Sequence, residues 1–111
     1  MLDGVETCKF GSAEEAWFWT AGALASRRDG RRRGHNPYLI SRPCEPDDVV
    51  LCLDRLYRQG RISGPHARVL RDWGERQMAP DSGGAGVGER ALWREAMATM
   101  APALRSRGIV K

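Results

Sequence analysis

The chain has 111 residues, of which 41% are hydrophobic and 29% are charged, and its net charge is +4. A chain of this length buries a modest core, and we expect one domain over residues 1–111. No run approaches the roughly 20 apolar residues of a membrane span, and Asp3 and Glu6 do not fit a secretory signal. These features predict a soluble, cytoplasmic protein with no membrane partner.

The cysteines and histidines exclude some kinds of site. Cys8, Cys44 and Cys52 are an odd number at irregular spacing, and no close CxxC or HxxxH pair exists. Neither a disulfide framework nor a zinc site is therefore predicted, and no metal or cofactor is expected. The sequence also lacks a nucleophile elbow and the residue order of a catalytic triad, so we expect a protein that is not an enzyme.

The first predicted helix covers residues 12–26. It opens with GSAEEAW, in which Ser12 and Glu15 have the spacing of a capping box. The consecutive aromatics Trp17, Phe18 and Trp19 spread over roughly 200° of a helix at about 100° per residue. This helix is therefore either wrapped by the others or presents an aromatic side chain outward.

Residues 27–45 form a predicted basic loop without amphipathic period. Its first part, RRDGRRRGHNPY, places five arginines within seven positions. Loops of this length are uncommon in compact domains and are usually functional or disordered. Arginines can contact phosphates, and polar or aromatic side chains of a basic arm can reach base edges. The predicted nucleic-acid contacts here are Arg27, Arg28, Arg31, Arg32, Arg33, His35, Asn36 and Tyr38; a solvated loop or an acidic protein partner would explain the same arginines.

Two further helices are predicted at 46–59 and 63–78, with Gly60 in the short turn between them. A pair of helices joined in this way resembles the helix-turn-helix of DNA-binding proteins, although Leu56 and His66 depart from the motif's usual residue types. On the second helix, Arg68 and Arg71 point away from the apolar face, as a recognition helix requires. Acids follow each of them at i,i+4, which predicts intrahelical ion pairs as the alternative.

Residues 79–88 are a predicted glycine-rich linker, and residues 89–107 a fourth helix that Pro102 kinks or restarts. The spacing of Gly83 and Gly88 resembles a phosphate-binding loop, but Glu89 and Arg90 replace its Lys and Ser or Thr. The predicted fold is an all-α, single small four-helix domain. It has a helix-turn-helix-like hairpin of helices 2 and 3, and a long basic loop between helices 1 and 2.

The stretch PCEPDDVVLCLDRLYRQGRISGPHARVLRDWGERQMAP, with ALWREAM and RGIV near the end, resembles an uncharacterised family of small bacterial proteins. This resemblance implies a bacterial cytoplasmic origin. It carries over no functional residue.

Two functions are compatible with these patterns. The first is a small nucleic-acid-binding protein, a transcriptional or nucleoid-associated regulator that binds DNA, or RNA, through the arginine loop with Arg68 and Arg71 assisting. The alternative is a non-catalytic adaptor or interaction module. Exposed aromatics and the fourth helix would then bind a protein or form a homodimer, through Phe18, Trp19 and Trp93.

Overall fold

The computed structural model describes residues 8–28 and 44–111, and this part of the chain is predominantly helical. The predicted all-α class is confirmed, and no strand occurs within the described ranges. None of the described helices is long and apolar enough to cross a membrane. The helices are α1 (Ala13–Arg28), α2 (Pro46–Arg58), α3 (Gly64–Arg76), α4 (Pro80–Gly83) and α5 (Val87–Ser106).

The first helix is longer than the sequence predicted. It continues two residues past position 26, so Arg27 and Arg28 form its last turn and do not belong to a loop. Basic side chains are favourable at this position because the C-terminal end of a helix carries a partial negative charge. Glu14 and Glu15 lie in the first turn of α1. Acidic side chains are favourable there because the N-terminal end of a helix carries a partial positive charge.

The predicted linker 79–88 contains more helix than expected. Pro80 lies in the first turn of α4, and Gly84 ends this helix with φ of 77°. Helix α5 then begins at Val87, two residues before the predicted start, and continues through Pro102 without a break. Four residues make a single turn, which is too short to show a hydrophobic period in the sequence.

Helix α1 lies at the centre of the domain. It contacts α2, α3 and α5, and its buried residues are mostly small. The aromatic residues that could not share one face are covered from different sides: Trp19 packs against Phe10 at 5.1 Å between ring centroids, and Phe18 stacks on Trp93 at 5.6 Å. Of the two arrangements that the sequence allowed, the structure therefore shows the wrapped helix.

Helices α1 and α3 approach each other closely at Gly74. A Cβ atom at this position would lie 2.7 Å from Trp17 Nε1 and 2.9 Å from the Cβ of Ala21. The indole N–H of Trp17 donates to the carbonyl oxygen of Leu70 over 2.8 Å in the buried interface. Because Gly74 has no side chain, Trp17 can approach α3 closely enough to donate its indole N–H to the backbone of that helix.

Helices α2 and α3 pack mainly against α1 and α5 and make few contacts with each other. The turn between them is fixed by Gly60, whose φ is 76°. The helix-turn-helix arrangement of this pair stays a prediction.

The segment that follows α5 pairs with the segment that precedes α1. After α5, Gly108 adopts φ of 75°, and the side chains of Ile109 and Val110 enter the core. The N–H of Phe10 donates to the carbonyl of Ile109, and the N–H of Lys111 donates to the carbonyl of Phe10, each over 3.0 Å. An isolated parallel bridge between Phe10 and Val110 results.

Candidate nucleic-acid interface

The predicted arginine loop is only partly within the described residues. Six of the predicted contacts lie outside them: Arg31, Arg32, Arg33, His35, Asn36 and Tyr38. The other two are exposed and bind acids of neighbouring helices. Arg27 Nη1 lies 2.9 Å from Asp47 Oδ1 in α2, and Arg28 Nη1 lies 2.9 Å from Glu75 Oε2 in α3. These ion pairs hold the end of α1 between α2 and α3.

Arg68 and Arg71 lie on the exposed side of α3, but the ion pairs expected at i,i+4 are not formed. Arg71 Nε is 3.6 Å from the adjacent Asp72, and Glu75 pairs with Arg28 instead. Tertiary packing places the guanidinium of Arg28 within reach of Glu75, which periodicity within α3 could not show. Arg68 has no acidic partner among the described residues.

The aromatic residues predicted for a protein interface do not form an exposed patch. Trp93 is 3% exposed and donates its indole N–H to Glu14 Oε2 over 2.7 Å. Phe18 and Trp19 are half-buried against Trp93 and Phe10. Trp93 is therefore buried in the described domain, because its face of α5 packs against α1. The role of these aromatics in a protein interface stays a prediction.

The carboxylates of the described residues are all engaged within the domain. Ion pairs with arginines are formed by Asp47, Asp54, Asp72, Glu75 and Asp81, and Glu95 binds a histidine. The helix caps contain Glu15, Glu45 and Asp48. Indole N–H groups donate to Glu14 and Glu89. Five of these acidic side chains are thus paired with arginines, whereas several arginines have no acidic partner in the described chain.

Three arginines without an acidic partner in the described chain meet at one end of the domain. Arg55, Arg61 and Arg107 line a concavity of about 160 Å³, together with Gln59 and Ser106. We call this concavity the arginine pocket. No local pattern in the sequence predicts this pocket, because its arginines come from α2, the following turn and the end of α5.

Two similar helix endings build the arginine pocket. After α2, Gly60 in the left-handed region lets the N–H of Arg61 bind the carbonyl of Leu56 over 2.9 Å. After α5, Gly108 also adopts the left-handed region, and the N–H of Ile109 donates to the carbonyl of Leu104 over 3.0 Å. Helix ends closed in this way have fewer unsatisfied carbonyl groups. The arginines beside both glycines are therefore held at the same surface.

A second concavity, of about 230 Å³, adjoins the arginine pocket and shares Arg55 and Arg107 with it. Cys44 and Asp48 also line this second concavity. Burial raises the pKa of the Cys44 thiol, and the charges of Asp48 and Glu45 raise it further. Cys44 is also the first described residue after segment 29–43, which carries four arginines against one aspartate. The described chain therefore resumes at the second concavity, which shares two arginines with the arginine pocket.

His66 caps α3 and links it to α5. The backbone N–H of Ser63 donates to Nδ1 over 3.0 Å, and Ser63 Oγ lies 2.6 Å from the same nitrogen. On the other side, Nε2 lies 2.8 Å from Glu95 Oε1. Both ring nitrogens are thus used within the fold. Among residues 8–28 and 44–111, no group of three or more His, Cys, Asp and Glu side chains could hold a metal ion.

Comparison with known proteins gives no relative for this chain: no family model, no curated protein and no solved structure matches it.

Proposed function

We propose that the protein binds nucleic acid, with DNA as the first choice, through phosphate contacts made by arginines. The observation that carries the proposal is the arginine pocket, which shares Arg55 and Arg107 with the concavity that Cys44 lines. Cys44 is the residue that directly follows the arginine-rich segment. Phosphate backbones require positive potential, and the arginine pocket supplies arginines that have no acidic partner in the described chain. Segment 29–43 adds four arginines to the sequence directly before Cys44. A transcriptional or nucleoid-associated regulator would use such a surface.

The proposed contacts divide by role. Arg31, Arg32 and Arg33 would bind phosphates, and Arg68 would assist from α3. His35, Asn36 and Tyr38 would supply the contacts to bases, since phosphate contacts alone position a protein without reading sequence. Arg27, Arg28 and Arg71 contribute less under this proposal, because each already binds an acid.

The alternative, a protein-interaction module, has less support from the described surface. It depended on exposed aromatics, yet Trp93 is buried and the rings of Phe18 and Trp19 pack against other aromatics. An acidic protein partner would still satisfy the arginines. The affinities for duplex DNA and for an acidic protein, measured at the same salt concentration, would distinguish the two partners.

The test is a titration of a fluorescent DNA duplex at several salt concentrations. The four contacts assigned to Arg31, Arg32, Arg33 and Arg68 predict a slope of about −3.6 for log K against log salt concentration, at about −0.9 for each contact. Replacing Arg31, Arg32 and Arg33 by Ala should make the slope shallower by roughly 2.7 on the same scale.

A matched control variant loses three arginines at other positions of the domain. Arg58, Arg90 and Arg94 face acids within the fold, with Arg58 bound to Asp54 and the other two beside Asp81. Their replacement by Ala should leave the slope nearly unchanged. Binding that ignores salt, or two triple variants that behave alike, would reject the proposal. A parallel titration with duplex RNA tests the choice of DNA.

A further inference from the structure

We infer that the arginine pocket binds a phosphate monoester, the group found at a phosphorylated nucleic-acid end or on a free mononucleotide. This site rests on the proposed nucleic-acid function and deepens it, because it specifies a terminal phosphate as one of the groups bound. Its residues Arg55, Arg61 and Arg107 were not among those that the sequence suggested.

The charge of the pocket matches a dianion. Three guanidinium-bearing side chains line one concavity, none has an acidic partner in the described chain, and no carboxylate lines the same concavity. A phosphate monoester carries a charge of about −1.5 to −2 at pH 7, because its second pKa is about 6. An internal phosphodiester carries a single charge. Arginine also suits phosphate geometrically, because its planar group can donate two parallel hydrogen bonds.

The shape of the site also favours a terminal group. A terminal phosphate presents three oxygens and can enter a concavity from one side. An internal phosphodiester is flanked by a sugar on each side, so it binds more readily along an open groove. Gln59 and Ser106 line the pocket with the arginines and supply uncharged hydrogen-bonding groups for the remaining oxygens.

The helix ends at the pocket offer another explanation for the arginines, since cations stabilise helix C-termini. Their last carbonyls, however, already accept backbone hydrogen bonds at both glycine turns, including Leu56 from Arg61 and Leu104 from Ile109. This reduces the negative charge that remains for the arginines to balance. It leaves their guanidinium groups available to an external anion.

The second concavity provides space for the rest of the ligand. It shares Arg55 and Arg107 with the arginine pocket, but Asp48 and Leu51 line it as well. An acid and an apolar side chain do not suit a second phosphate, whereas they suit the hydroxyl groups and apolar ring of a nucleoside. The phosphate should therefore enter the arginine pocket, and the attached sugar and base should lie toward Leu51.

The test compares two single-stranded oligonucleotides that differ only in a 5′-phosphate or a 5′-hydroxyl group, each labelled at the 3′ end. Fluorescence anisotropy with the full chain should show about tenfold tighter binding of the phosphorylated strand, since a hydrogen bond to a charged group contributes on that scale. Arg61→Gln should abolish the preference, and Arg55→Gln is an independent second variant. Arg58→Gln, on the same helix but outside the pocket, should keep it. Thermal unfolding would verify that each variant is folded.

The two sources of the phosphate are separated by competition. Displacement of the phosphorylated strand by adenosine 5′-monophosphate, but not by adenosine, would support a site open to free nucleotides. Retention of the preference without such displacement would support a site for nucleic-acid ends. Equal affinity for the two strands would overturn the inference while leaving the proposed function intact. If neither strand binds, the proposed function is decided by the duplex titration, and selective binding of the monophosphate over adenosine would still support the pocket.

Discussion

At the scale of single residues, Gly74 fixes the spacing of α1 and α3. Gly74→Ala would push a methyl group into Trp17 Nε1 and Ala21, and should lower the free energy of unfolding by about 1–3 kcal/mol. Urea denaturation would measure the loss.

A second glycine provides the control for that substitution. Gly88 lies in α5, and a Cβ atom there would lie more than 4 Å from every atom of the other described helices. Gly88→Ala should therefore be neutral or stabilise the protein by up to about 1 kcal/mol through helix propensity. Equal destabilisation by the two substitutions would contradict a special role for Gly74.

Cys44 should be a slow nucleophile. Burial and the neighbouring acids Asp48 and Glu45 disfavour its thiolate, so the pH at half-maximal alkylation by iodoacetamide should be higher in the folded protein than in urea. Peptide mass spectrometry would follow this cysteine separately from Cys8 and Cys52. An unchanged or lower midpoint in the folded protein would refute the expectation.

The direction of this shift also has a consequence for stability. Because the pKa of Cys44 is raised in the folded state, the unfolded chain loses its proton first as pH rises. Above the unfolded-state pKa, the contribution of this group to stability therefore decreases with pH, until the folded thiol also ionises.

At the scale of helices, local signals in the sequence predicted most boundaries. Ser12 accepts the N–H of Glu15 at the start of α1, Pro46 lies in the first turn of α2, and Gly60 ends that helix in the left-handed region. Such residues act within one turn of their own position, so the sequence is sufficient to find them. The extension of α1 was missed because Arg27 and Arg28 are held by acids far along the chain.

The cap of α3 gives a prediction at this scale. Ser63→Ala would remove the hydroxyl beside His66 Nδ1 and should cost about 1 kcal/mol of stability in urea denaturation. Ser82→Ala is a suitable control, because the exposed side chain of Ser82 makes no hydrogen bond with the described residues. If both variants unfold at the same urea concentration, the cap contributes no stability.

At the scale of the whole molecule, the sequence predicted the class of the fold and the excess of positive charge, but not where the unpaired charges lie. Composition and periodicity determine helices and net charge. The arginine pocket depends instead on Arg55, Arg61 and Arg107 being brought together by tertiary packing. The same packing explains why Trp93 is buried and why Glu75 binds Arg28.

The bridge between Phe10 and Val110 joins two segments of the domain that are far apart in the sequence. Two backbone hydrogen bonds join positions close to opposite ends of the sequence, and the core covers Phe10, Ile109 and Val110. Because the two segments run parallel, a linker from Lys111 must return past the bridge to reach the residue before Phe10. Such a linker would preserve the packing if the backbone were opened at an exposed turn such as Gly84–Gly86. The order of the helices along the chain is thus separable from their arrangement in space, which makes circular permutation a practical route to reposition a tag or a fused domain.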